Sequence, residues 1–179
     1  MKTKITGFLV AFLLLGGNLF SILPVGEIPD VITLSEKAGG RVDGTPWSSS
    51  ELVGKVWVVV YADPDESELN DAATEALKAK DYSNDVYQSV AIINMSATWK
   101  PNFLINTILK GKQKKYPDTI YVKDMDKTLV KTWGLADDSN DIVVFDSNGI
   151  VIFSHDGQLD ADAIAEMIST IDTEIAKVK

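Results

Sequence analysis

Residues Lys55 to Lys80 constrain the fold more than any other stretch. Val56-Trp57-Val58-Val59-Val60-Tyr61-Ala62 is an unbroken apolar run, rich in β-branched and aromatic residues, with no polar alternation. A run of that kind suits a strand buried on both faces, as in parallel α/β sheets. Asp63-Pro64-Asp65-Glu66 follows, and then Leu69, Ala72, Ala73, Ala76 and Leu77 at helical spacing. The pattern predicts strand, turn and helix, with Asp63 as N-cap, Pro64 at the first helical position and Glu66 three residues after the cap. The top of such a strand is also where α/β sheets place their sites. The acids of this turn therefore have two readings, helix start and site, and the two are compatible.

The rest of the chain supplies the partners such a strand needs. Val90-Ala91-Ile92-Ile93-Asn94-Met95, Thr119-Ile120-Tyr121-Val122 and Ile142-Val143-Val144-Phe145 read as further buried strands. Pro101 opens a helix with Phe103, Leu104, Ile105, Ile108 and Leu109 as its expected apolar stripe. Lys110, Lys112, Lys114 and Lys115 crowd its end, where the helix dipole favours cations. Asp126 to Trp133 reads as a turn or two of helix stopped by Gly134. Asp146-Ser147-Asn148-Gly149 is a hairpin signal, with Ile150 to Phe153 returning antiparallel. Asp160 starts a last amphipathic helix with Ile164, Ile168, Ile171 and Ile175 inward. Ahead of the first core strand, Val31 to Leu34 reads as a short strand, and Trp47 as a lid packed on the Ser48-to-Leu52 turn.

The chain has 179 residues, enough for one domain with a sizeable core. A net charge of −9 offers no basic stripe for phosphates, so nucleic acid is not an expected partner. The same sign disfavours anionic membrane surfaces. Lys2 and Lys4 precede the apolar stretch Ile5 to Leu15, which is followed by Gly16 to Ser21. This describes a secretory signal over residues 1–21, with residues 22–179 as the mature domain. An uncleaved anchor is the alternative, because apolar character resumes at Ile22, and it is the only route to the membrane expected here.

There is no cysteine, so dithiol exchange, thiolate nucleophiles and thiolate metal sites are excluded. His155 is the only histidine and reads as a surface residue. No Gly-x-Ser-x-Gly elbow and no phosphate-binding glycine loop is present. No catalytic residue, resident metal or cofactor is assigned. Asp63, Asp65, Glu66 and Glu68 in one loop, and Asp137, Asp138 and Asp141 in another, are expected at the same sheet end. They are the candidate interaction residues. Convergent carboxylates of this kind could bind calcium, but Asp137 to Asn148 fails as an EF-hand: Ile142 stands where glycine is needed, and Asn148 replaces the final acid.

The order of elements, ending in a hairpin and a helix, resembles the thioredoxin-like class. Val25-Gly26-Glu27-Ile28-Pro29-Asp30-Val31, Leu52-Val53-Gly54-Lys55-Val56 and the Ile142-to-Val151 hairpin are similar to exported domains of that kind. Trp47 to Val56, Lys115-Tyr116-Pro117, Trp133 with Leu135, and Asp156-Gly157-Gln158-Leu159 resemble the YtfJ family of small periplasmic proteins. The resemblance implies an α/β thioredoxin-like fold in the periplasm: a central mixed sheet flanked by helices, with an N-terminal hairpin extension. It also aligns Asp65 and Glu68 near the two cysteine positions of redox thioredoxins, and Asn140 with their cis-proline. Not being a thiol-disulfide oxidoreductase, such a chain is expected to act by binding a protein or peptide between the Asp63 and Asp137 loops. The alternative is a small-ligand or divalent-metal binder using the clustered carboxylates.

Overall fold

The computed structural model describes residues 23–178. The expected signal or anchor over residues 1–21 lies outside them. The predicted core strand is β4, Val56–Ala62, and it sits near the middle of a six-stranded sheet. Its neighbours are β5, Tyr87–Asn94, which runs parallel, and β7, Asn140–Phe145, which runs antiparallel. Beyond β5 comes β6, Thr119–Asp124, also parallel. Beyond β7 comes β8, Val151–His155, the return strand of the hairpin. The sheet is therefore mixed, in the order β2-β6-β5-β4-β7-β8, with the short strand β2 at Gly39–Arg41.

The unbroken apolar run of β4 is explained by burial on both sides. Val56 and Val58 face α1, Asp71–Ala79, and α4, Ala161–Val178, packing with Ala73, Leu77, Met167, Ile171 and Ile175. Towards the strand's end, Ala62 meets Ile105 and Leu109 of α2, Asn102–Lys115. Trp57, Val59 and Tyr61 face the other way, with Leu129 and Trp133 of α3, Thr128–Trp133. The N-terminal part covers this second face: β1, Thr33–Leu34, pairs antiparallel with β3, Trp47–Ser48, and Leu34, Trp47 and Leu52 join the core. Trp47 is 1% exposed, the lid expected of it.

Between β1 and β3, the strand β2, Gly39–Arg41, adds to the sheet antiparallel to β6. Glycine is required there. Gly39 has φ +127°, and a Cβ on it would lie 1.9 Å from the Lys123 carbonyl oxygen. At the opposite border the lead-in runs beside β8: Gly26 N–H donates to Val151 O (2.8 Å) and Val151 N–H to Glu27 O (2.9 Å). Leu23 N–H donates to Ser154 Oγ (3.1 Å).

Two local expectations are corrected. The helix after β4 begins at Asp71, not at Asp63. Asp63 to Asn70 is a chain of turns, with Glu66 N–H on Asp63 O, Leu69 N–H on Glu66 O and Asp71 N–H on Glu68 O. The Asp63 carboxylate accepts the Asp65 N–H (2.7 Å), so it closes a local turn rather than capping a helix. The second correction concerns α2. Of its five expected apolar contacts only Ile105 and Leu109 are buried, while Phe103, Leu104 and Ile108 are exposed. The five side chains span too wide an arc for a helix that meets the sheet along one narrow line. The last helix holds as read: Asp160 Oδ1 accepts the Ala163 N–H (2.8 Å), and Ile171 and Ile175 are buried.

Candidate functional site

The C-terminal ends of β4, β5 and β6 and the start of β7 lie at one end of the sheet. They carry Asp63, Asn94, Asp124, Asn140 and Asp141, and all five side chains are buried. Buried polar groups need partners, and those partners determine what this end of the molecule can do.

Two asparagines join the loops. Asn70, 2% exposed, donates from Nδ2 to Asn140 O (2.7 Å) and Gly157 O (2.9 Å). Its Oδ1 accepts the Leu159 N–H (2.9 Å). Asn140 Nδ2 in turn donates to Glu66 O (3.1 Å), and the Asp63 N–H donates to Ser139 O (2.8 Å). The Asp63 and Asp137 loops are thus stitched to each other and to the turn before α4. Asn70 occupies the N-cap position of α1 but makes no capping bond, because its side chain is engaged across the fold. Hydrogen bonds therefore bridge the two loops between which binding is expected.

The seven candidate acids divide into three kinds. Asp63 and Asp141 are buried, so neither is a surface group. Burial raises the Asp63 carboxyl above its ordinary value, and the charges of Asp65, Asp138 and Glu66 add to that. Asp65 and Asp137 are held in ion pairs. Asp65 meets Lys100 Nζ at 2.5 Å and accepts from Thr98 Oγ1 at 2.7 Å, and both contacts lower its carboxyl. Asp137 meets Lys127 Nζ at 2.6 Å and the Asn94 amide at 2.9 Å. Burial works against the Asp137 charge, but these two partners outweigh it and the carboxyl is lowered. Glu66, Glu68 and Asp138 are exposed and carry no ion pair among the described residues.

Asp141 has the most unusual surroundings. It is 1% exposed, and Oδ2 accepts the Ala136 N–H (2.8 Å). Oδ1 receives no N–H or protein hydroxyl. The Asp141 carboxyl also interacts with Asp156, whose Oδ1 accepts from Ser139 Oγ (2.8 Å). A neighbouring carboxylate disfavours a second negative charge beside it. Burial, with the adjacent Asp156, pushes Asp141 up to about 7. On the far side of β4, Tyr61 donates to Asp124 (3.2 Å), and Asp124 also takes the Leu129 N–H (3.0 Å), anchoring the start of α3. Burial and the Asp124 charge raise the Tyr61 phenol.

Asn70, Asn94, Asp124 and Asp156 were not among the candidates. Their roles depend on partners distant in sequence, and no local spacing signals them. Among the described residues, no group of three or more histidine, aspartate or glutamate side chains converges as a metal site.

A family model described as "Bacterial protein of unknown function (YtfJ_HI0045)" matches residues 27–174. An uncharacterized protein of Haemophilus influenzae is 35% identical over 131 residues, 70% of each chain. Solved structures of thioredoxin-like proteins superpose on the chain. A putative thiol:disulfide interchange protein DsbE from Chlorobium tepidum has TM-score 0.61 at 17% identity, covering 86% of this chain and 99% of its own. The pneumococcal exposed lipoprotein thioredoxin Etrx1 of Streptococcus pneumoniae has TM-score 0.58 at 18% identity, covering 78% and 98%. At such identities the likeness shows the fold, which is thioredoxin-like as expected.

Proposed function

Because this chain belongs to the YtfJ_HI0045 family and has a thioredoxin-like fold without cysteine, we propose that it is a non-redox binding domain of the periplasm. It acts by contact with a protein or peptide at the end of the sheet where Glu66, Glu68 and Asp138 stand exposed. Thiol exchange needs a thiolate, and none exists here. Support for export comes from the Lys2-to-Ser21 segment and from the exposed-lipoprotein description of one structural neighbour.

The observation that carries this reading is the Asn70–Asn140 stitching. It holds both acidic loops in one conformation, so a partner meets a prearranged surface and less ordering is lost on binding. The unpaired carboxylates favour a partner segment bearing lysine or arginine. The small-ligand or metal alternative is weaker, because Lys100 and Lys127 already neutralise Asp65 and Asp137.

A photo-crosslinking residue placed at Glu68 or Asp138, with one at Thr173 on α4 as control, tests the reading. The expected result is a discrete adduct from the two loop positions that the variant Glu66→Lys/Glu68→Lys/Asp138→Lys abolishes. Adducts only from position 173, or adducts indifferent to charge reversal, would remove it.

A further inference from the structure

No described residue covers the outer face of α2. Trp99 is 87% exposed, Phe103 67%, Ile108 56% and Leu104 47%. Four large apolar side chains within ten residues make a continuous ridge, where isolated exposed apolar residues would need no explanation. The ridge is also electrically distinct. Residues 95–117 contain Lys100, Lys110, Lys112, Lys114 and Lys115 and no acid, in a chain whose net charge is −9. Lys100 pairs with Asp65, and Lys115 lies 5.0 Å from the Tyr116 ring centre. Lys110, Lys112 and Lys114 have no ion pair among the described residues. Dipole complementarity acts within the last turn. It accounts for neither Lys110 nor the apolar half of the helix.

We propose that this ridge docks on an anionic lipid surface. Trp99 and Phe103 enter the boundary between headgroups and acyl chains, and Lys110, Lys112 and Lys114 face the lipid phosphates. Tryptophan at the margin of an apolar stripe beside lysines is the pattern of interfacial helices. Local charge is complementary to such a surface although the whole chain is acidic, so the expectation drawn from net charge does not hold for this face. The ridge is also convex: Ile105 and Leu109 hold α2 on the sheet, and the exposed residues stand outward. That shape suits a deformable layer. This inference goes beyond the partner-binding reading and uses different residues.

Trp99 provides a local readout. Trp47, Trp57 and Trp133 are 1%, 7% and 5% exposed, and no tryptophan precedes Trp47. Changes in iodide quenching therefore report on Trp99 alone, whatever residues 1–22 do with lipid. The full chain is titrated with vesicles of phosphatidylcholine, with or without about 30% phosphatidylglycerol. The expected result is a blue shift and loss of iodide quenching with anionic vesicles only, reversed by about 0.5 M salt. Lys110→Glu/Lys112→Glu/Lys114→Glu should weaken the response at least tenfold, on the order expected for three surface lysines. Phe103→Ser/Ile108→Ser should weaken it while circular dichroism stays unchanged. Unaltered quenching with anionic vesicles, an equal response to neutral ones, or indifference to the lysine variant would overturn the proposal. So would shielding of Trp99 that grows with protein concentration without lipid, which would assign the ridge to a second copy of the chain.

Discussion

Replacing Asp141 with asparagine tests the effect of its buried carboxyl on stability. In the folded protein Asp141 is raised from 3.8 to about 7, chiefly by burial and then by Asp156. A carboxyl whose folded value exceeds its unfolded one binds more protons when folded. Stability therefore falls as pH rises from about 4 to about 7, and the loss is complete above that range. Three units at 1.36 kcal/mol each give an upper bound of about 4 kcal/mol. Separation of the pair as the Ala136-to-Asn140 loop relaxes would reduce that figure. Asparagine fits the site: its Oδ1 can keep the Ala136 N–H, and its Nδ2 can donate to the Asp156 side chain. Asp141→Asn should therefore be more stable than the parent by about 2–4 kcal/mol at pH 8 and within about 1 kcal/mol of it at pH 4. Urea unfolding of both proteins at several pH values measures this, and other titrating groups cancel in the difference. Parallel stability curves, or an advantage for the variant that shrinks as pH rises, would refute the reasoning.

Two further substitutions address the scaffold. Asn70→Ala strands the Asn140 and Gly157 carbonyls and the Leu159 N–H. It should cost about 2–4 kcal/mol in urea unfolding, and a loss below about 1 kcal/mol would show that water replaces the stitching. Gly39→Ala drives a Cβ into the Lys123 carbonyl at a positive φ, so it should cost more than about 1 kcal/mol and detach β2 from β6. Unchanged amide-exchange protection in β2 would count against that.

Much of the architecture was legible because burial on both faces leaves a plain trace. β4 has no polar alternation, and the structure places apolar neighbours on each side of it. Trp47, the Asn148-Gly149 turn and the Asp160 cap were likewise local signals with local causes. The start of α1 departs from its local signal for the converse reason. Asp63-Pro64-Asp65-Glu66 is a sound capping sequence, but Asp63 is bound to Ser139, and Asn70 to Asn140 and Gly157, much further along the chain. Those tertiary bonds override a preference worth about 1 kcal/mol. On α2, periodicity counted five inward residues where packing uses two. An amphipathic pattern says that a face is apolar but not which neighbour covers it. The acids at the site are visible in the sequence, but their sorting into buried, paired and free is not, because Lys100, Lys127 and Asp156 reach them only in three dimensions.

The lead-in alongside β8 bears on how the chain tolerates trimming. Gly26 and Glu27 satisfy backbone groups of Val151 that would otherwise border solvent. A cut after Ser21 would spare this short zipper, whereas a cut near Asp30 would strip it. A border strand left bare in that way recruits its like from neighbouring molecules, so such a trimmed protein would turn cloudy in storage where the longer one stays clear.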